Sequence, residues 1–433
     1  MVIRTLSITN VGPIVNTATI EFKRYCILIG PQSKGKSTIA KILSTCLWIE
    51  KEACTTLNEH VVADGKSFKA LVEDFHRMHN YIHPDSSVIE YSSPYIKLKY
   101  SKGEFLMSFV GNLDYQRSKI SYIPSDRNVA FMKDIEKREL EQTNFRSFLF
   151  DWLEAKRKFD AQHKLPILNL DMRYYYNADA DERKDMLTHE NGVSYDISLY
   201  DASSGMQSLV PMNVLMHYLT TGYFENYGSG VSFEQQQKLK RLMLDVAEKI
   251  TAKHFPEQVE KLGFESVYLN EITGNASGKS DACYEEIFNL YQQLAMPHNI
   301  SFIVEEPEQN LFPATQVDLF NDIVAVCNAK EGSSAFITTH SPYLLASANI
   351  LLFAGKLKNK GVDQQSVDSC VRSKYTLPAA DFTAYCVDNG GCMSIVDEKT
   401  GLIKENELDS ASVYNSEIFD KLYQLYAQII RKQ

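Results

Sequence analysis

The sequence has 433 residues, 45 Lys+Arg against 55 Asp+Glu, and 44% hydrophobic residues, enough apolar material for one large core or two modest ones. With Gly 20, Pro 13 and Cys 8, the composition excludes low-hydrophobicity disorder, collagen and a disulfide scaffold. The formal net charge of -10 offers no global attraction to phosphate polymers, so nucleic acid is not the default partner. No run of about 18 apolar residues exists to cross a bilayer, and the opening MVIRTLSITN lacks the apolar block of a secretory leader. No membrane association and a cytoplasmic location are expected. The cysteines form no CxxC pair and have no histidine at ligand spacing, which argues against structural zinc.

In chain order, alternation predicts strands at Ile3–Thr9, Thr17–Phe22 and Cys26–Ile29, then a glycine turn over Gly30–Ser37 and an apolar-periodic helix over Thr38–Ile49. Residues 131–165 mix dense charge with Phe131, Ile135, Phe145, Leu149, Trp152 and Leu153 and contain no Pro or Gly, predicting a helical insertion. A second is expected over about 233–294, broken near Gly263 and by the loop TGNASGKSD. Strands return at Ile300–Val304, Ala335–Thr338, Ile350–Phe353 and Thr383–Val387. The sheet is therefore assembled from both ends of the chain, and 1–433 reads as one α/β unit without internal repeats.

Four motifs carry chemistry. Gly30-Pro31-Gln32-Ser33-Lys34-Gly35-Lys36-Ser37 fits GxxxxGK[ST] between a strand and a helix. Its glycines let backbone N–H groups face phosphates at the positive end of the helix, Lys36 reaches the β and γ phosphates of ATP, and the Ser37 hydroxyl ligates Mg²⁺. Gly274–Ser280 looks similar, but its glycines are one residue too close, and it reads as a solvated turn. The second motif, SFIVEEPEQNLFP, ends a short buried strand in Glu305 and Glu306. Adjacent carboxylates there need a cation or a proton to face: Glu305 would hold the metal through water, and Glu306 would orient and deprotonate the attacking water. The third, AFITTHSPYLL, places His340 just after a strand, where a histidine is either a satisfied polar residue or, at the tip of a parallel strand, a ligand contact. The fourth, Ala202-Ser203-Ser204-Gly205-Met206-Gln207-Ser208, is on its own a helix N-cap cluster.

Together these motifs resemble the nucleotide-binding head of ABC-class ATPases, in the branch that includes the SMC, RecF and overcoming-lysogenization-defect proteins. The resemblance covers roughly the first 50 residues and the segment from about 198 to 425. It implies an ABC-type P-loop head with a mixed sheet and helical insertions. Gly30 to Ser37, with Thr38, would be the Walker A loop that binds ATP, Glu305 and Glu306 the Walker B pair, and His340 the switch histidine. ASSGMQS is similar to the signature motif, which would set Ser203, Gly205 and Gln207 against ATP held by a second subunit, making the protein a homo-oligomer. The sequence departs from that pattern in having Glu305 where Asp is usual and Ser204 where Gly is common. The expected Q-loop glutamine has one candidate, Gln116, before the strand ISYIP.

Only 93 residues follow His340, and they show no convincing nuclease strand ends; neither a long heptad repeat nor a zinc-hook CxxC is present. The tail reads as terminal strands and a helix that finish the head. What remains resembles stand-alone ATPase subunits of anti-phage defence systems, of the PARIS AriA or Septu type, which hold or license a separate effector such as a nuclease. The rival is a repair ATPase of the RecF/SMC type that closes on DNA, using Lys156–Lys158, Lys238–Arg241 and Lys356–Lys360, runs that also suit solvated helix faces. A small-molecule kinase would explain neither the signature segment nor His340, and a transporter ATPase fits EEPEQNLFP poorly.

Overall fold

The computed structural model describes residues 2–111, 114–131, 135, 141–180, 183–226, 233–272 and 278–404. Strands β1 (Arg4–Val11), β2 (Ile14–Asn16), β3 (Ile20–Phe22) and β4 (Tyr25–Ile29) lead through the glycine loop into helices α1 (Lys36–Thr56) and α2 (Gly65–His76). Then come β5 (Val88–Ser92), β6 (Ile96–Ser101), β7 (Glu104–Phe109), β8 (Ser118–Ile123) and α3 (Asn144–Ala155), followed by β9 (Leu165–Pro166), β10 (Met172–Tyr176), β11 (Asp185–His189) and β12 (Tyr195–Ser198). Helices α4 (Ser204–Thr220), α5 (Gly222–Asn226), α6 (Phe233–His254), α7 (Pro256–Leu262), α8 (Phe264–Val267) and α9 (Gly278–Ala295) precede β13 (Asn299–Glu305), α10 (Pro313–Ala329) and β14 (Ser334–Thr339). The described chain ends with α11 (Pro342–Asn359), α12 (Gln364–Cys370), β15 (Phe382–Asp388) and β16 (Gly391–Ser394).

The central sheet has the order β16-β15-β4-β14-β13-β8. Five of its strands run parallel, and only β16 is antiparallel. Parallel strands are covered on both faces and need side chains that tolerate burial on each, which is what the run Tyr25-Cys26-Ile27-Leu28 supplies. Alternate residues point to opposite faces. Tyr25, Ile27, Phe302 and Val304 join the core under α3, α4, α10 and α11. Cys26, Leu28, Ile303 and Phe336 join the core shared by α1, α6, α9 and the N-terminal antiparallel sheet. Each such buried aliphatic or aromatic side chain contributes ~1.5–3 kcal/mol.

The α/β class and the assembly of the sheet from both chain ends match the sequence expectation, with three differences. The strand expected over Thr17–Phe22 is shortened to β3: the Thr17 hydroxyl takes the Ile8 N–H at 3.0 Å and Ala18 turns to a positive φ of 53°, so β3 starts only at Ile20, and the short β2 before this turn pairs separately with β1. Ile350–Phe353 is not a strand but the middle of α11. Ser341 caps that helix, and burial recurs at helical spacing through Leu344, Leu345, Ala348, Leu351 and Leu352, outweighing the β propensity of the apolar run. Finally, the structure has two antiparallel sheets beyond the sequence expectation. One joins β5, β6 and β7 to β1; the other is β12-β11-β10-β9.

Within the first predicted insertion the described helix is α3, where Phe145, Phe148, Leu149 and Trp152 are buried; residues 132–134 and 136–140 lie outside the described set. The second insertion is helical, and Gly263 at φ 78° separates α7 from α8 as expected. The predicted terminal helix, in 405–433, lies outside the described residues, as do 274–277 of the second glycine loop.

Candidate functional site

Parallel pairing fixes where the site lies. Register places Ile29 beside Thr339, Glu305 beside Thr338, and Val304 beside Ile123, so the segments leaving β4, β14, β13 and β8 emerge at the same carboxyl edge, where open α/β sheets bind ligands. The loop after β4 needs its glycines for specific reasons. Gly30 sits at φ 152°, and a Cβ there would lie 2.2 Å from the Val387 carbonyl oxygen; at Gly35, φ 106°, a Cβ would lie 2.3 Å from Ile14 Cδ1. Pro31, Gln32 and Ser33 are exposed, Ser33 with φ 60°. Lys34 reaches sideways to Asp388 at 3.0 Å. Gly35 then begins α1, with Lys36 and Thr38 buried and Ser37 half-buried in its first turn.

Lys36 is the centre of the arrangement. Its Nζ donates to the carbonyls of Gly30 and Pro31, both at 2.8 Å, and lies 3.4 Å from His340 Nδ1. Burial lowers the lysine pKa, while the nearby carboxylates of Glu306 and Glu308 oppose that shift. His340 Nε2 lies 3.3 Å from Glu306 Oε1, and Gln309 Nε2 donates to the other Glu306 oxygen at 3.0 Å. An ammonium donating to Nδ1 leaves the ring proton on Nε2, facing Glu306. Lysine, histidine, glutamate and glutamine thus form one polar chain across three strand tips. Glu306 has φ 43°, and its N–H donates to the Thr338 carbonyl at 2.8 Å, so a strained backbone holds this carboxylate at the site.

Glu305 is only 4% exposed; Oε2 accepts the Ser125 N–H at 3.4 Å, and Oε1 has no partner. A buried carboxylate oxygen left unpaired is costly. Together with the Ser37 hydroxyl it offers the hard oxygen donors that suit Mg²⁺, so the residues present fit the metal the sequence implies. Glu305 also has an effect on its neighbour: the Tyr122 hydroxyl, at the end of β8, is pushed well above its usual pKa by burial and by the Glu305 charge.

Ser203 caps α4, accepting the Met206 N–H at 3.5 Å, and Gly205 lies against the turn after the paired glutamates, where a Cβ would be 2.7 Å from the Asn310 carbonyl oxygen. Gln207 does not face outward as a free donor; its Nε2 holds the carbonyls of Tyr200 at 2.8 Å and Leu199 at 3.3 Å. No hydrogen bond among the described residues joins Ser203–Gln207 to Gly30–Thr38. Gln116 falls on the wrong side: it precedes β8, whereas the site lies where β8 ends.

Two residues of the site were missed. Glu308 Oε1 accepts the His340 main-chain N–H at 2.6 Å; its place in EEPEQN was visible, but nothing local revealed the partner. Arg127, just beyond β8, is fully buried beside both glutamates, and a single arginine in a loop gives no periodic signal.

No family model matches the chain, and no curated protein does. Among solved structures, the chain is similar to the SMC head domain from Thermotoga maritima, at 10% identity over 91% of this chain and 98% of that one, TM-score 0.35. It is also similar to the recombination mediator RecF of the RecFOR pathway, at 8% identity over 91% and 98%, TM-score 0.30. A third is an ATP-binding cassette of an ABC transporter in its ADP conformation, at 12% identity over 96% and 98%, TM-score 0.27.

Proposed function

We propose that this protein is an ABC-class ATPase that binds ATP with Mg²⁺ in the Gly30–Thr38 loop and hydrolyses it, and whose nucleotide-dependent oligomerisation controls a separate effector in anti-phage defence. The observation that carries the ATPase reading is the chain Lys36–His340–Glu306 at the carboxyl edge, beside the unpartnered oxygen of Glu305. Bound Mg²⁺ would neutralise phosphate charge, held by Ser37 and Glu305. Lys36 exchanges the carbonyls of Gly30 and Pro31 for phosphate oxygens, a charge-assisted and stronger contact. Glu306, oriented by Gln309 and His340, takes the proton of the attacking water.

No hydrogen bond among the described residues joins Ser203 or Gly205 to the loop of their own subunit, which supports their use on a partner's ATP in an isologous pair. The effector and defence parts rest on the resemblance to stand-alone defence subunits. The DNA-closing alternative is weakened by where its basic runs go: Lys156 faces Asp185 at 3.4 Å, Lys356 holds the Thr400 carbonyl, and Lys358 pairs with Asp368 at 2.6 Å. Lys238 and Arg241 line a cleft of about 1010 Å³ together with Glu52, Asp245 and Glu248, a surface of mixed sign.

The test is subunit mixing. Ser203→Arg and Lys36→Ala should each be inactive, yet a mixed pair holds one site with both lesions and one with neither, so partial ATPase activity should return. A mixture that stays inactive while both proteins are folded and exchange subunits overturns the composite site.

A further inference from the structure

Arg127 is 0% exposed, and its five hydrogen bonds all go to main-chain carbonyls. Nε donates to Ser208 at 2.9 Å, in the second turn of α4. Nη1 donates to Pro124 at 3.1 Å and to Glu305 at 2.9 Å; Nη2 donates to Glu306 at 2.9 Å and to Pro307 at 3.4 Å. Burial lowers the guanidinium pKa to about 10, so it stays charged at neutral pH. A rigid planar fork is the side chain suited to gripping several acceptors at once, and such a charge is retained at a cost. Here the acceptors belong to two functional segments: the turn that carries Glu305 and Glu306, and the helix whose first residues are Ser203 to Gln207.

We propose that Arg127 is a positioning residue that locks the turn of Glu305 and Glu306 to α4, so that the hydrolytic carboxylates and the serine-capped helix end of one subunit move as a single body. The inference rests on the composite-site reading above and deepens it. In a symmetric pair the turn serves the subunit's own ATP and the helix end serves its partner's, so Arg127 would join the two sites through the main chain. The contact at Gly205 adds a second point of attachment, since the Asn310 carbonyl leaves no room for a side chain there.

The test uses the full chain with Arg127→Lys, and Arg127→Gln as a second variant. Lysine keeps the charge but cannot span both segments. ATP affinity by calorimetry should stay within about 3-fold of the parent, because Lys36 does not touch Arg127, while turnover should fall at least about 10-fold. Amide hydrogen exchange should rise together in 205–210 and 306–311 and stay unchanged in 30–38. Exchange that rises in only one of the two segments, or turnover near the parent's, overturns the proposal. So does loss of folding in both variants, judged by circular dichroism and ATP binding, which would make Arg127 a residue of the fold alone. Mixing gives the functional arm: Arg127→Lys should rescue neither Lys36→Ala nor Ser203→Arg, because both of its half-sites are impaired, and rescue of Ser203→Arg refutes the link to α4. If Lys36→Ala and Ser203→Arg fail to rescue each other, the composite-site reading falls, while the exchange data still decide the role of Arg127.

Discussion

The two edges of the central sheet are built from similar polar residues, yet they leave those residues in opposite states. At the amino edge, demand is met by the main chain: Arg24 donates to the carbonyls of Ser333 and Cys327, both at 2.9 Å, and Arg117 to that of Ala295 at 2.7 Å. Ser118 and Ser301 lie 3.0 Å apart and satisfy each other. At the carboxyl edge, Glu305 Oε1, Glu308 Oε2 and Thr338 Oγ1 are buried without partners, and Lys36 rests on the carbonyls of its own loop. Buried polar atoms are nearly always paired, so an edge that leaves several unpaired is one shaped for something else to complete. Arginine serves structure on the first edge; lysine, carboxylate and histidine are held ready on the second.

This contrast can be broken at three places. The largest effect is expected for Lys36→Ala, which should lower ATP affinity by at least about 100-fold through loss of the charge-assisted phosphate contacts; equal affinity in the two proteins by calorimetry would sink the phosphate-loop assignment. Next is Glu306→Gln. The amide keeps the shape of the side chain but cannot take a proton, so ATP should still bind and ATP-bound oligomers accumulate, while turnover drops by roughly 10² or more. An unchanged rate would move the base to another group. The smallest effect is expected at the other edge. Arg24→Ala strands two carbonyls and should cost about 1–3 kcal/mol in denaturant unfolding, with turnover per folded molecule the same. A fall in that turnover would erase the difference between the edges.

What the sequence made legible follows from how local each signal is. The loop Gly30–Ser37 has a fixed spacing set by phosphate geometry, and Glu305, Glu306 and His340 each follow a short apolar strand that announces itself. The strands β5, β6 and β7 were legible in principle, since Ile96-Lys97-Leu98-Lys99-Tyr100 alternates and its burial alternates with it. They lie between the motifs and carry no chemistry-bearing residue that points to them. Ile350–Phe353 misled because apolar residues dominate α11 on nearly every side, hiding its period. Arg127 and Glu308 could not be read: their partners are main-chain atoms brought close only by the fold. Gln116 failed for want of topology, since which end of β8 meets the site depends on β13 running parallel to it.

The place of β4 in the sheet has a consequence for synthesis. Its two neighbours, β14 and β15, come roughly 300 residues or more after it. At ribosomal speeds of about 5–20 residues per second, that separation amounts to a wait on the order of 15 to 60 s. For that interval Tyr25–Ile29 is an apolar edge with no partner on either side, and the glycine loop beyond it has no wall behind Gly30, because Val387 has not been made. The nascent chain therefore passes through a long stage in which this edge is exposed to aggregation and the loop after it is unsupported. The wall behind Gly30 in the site proposed for nucleotide is completed only once β15 has emerged.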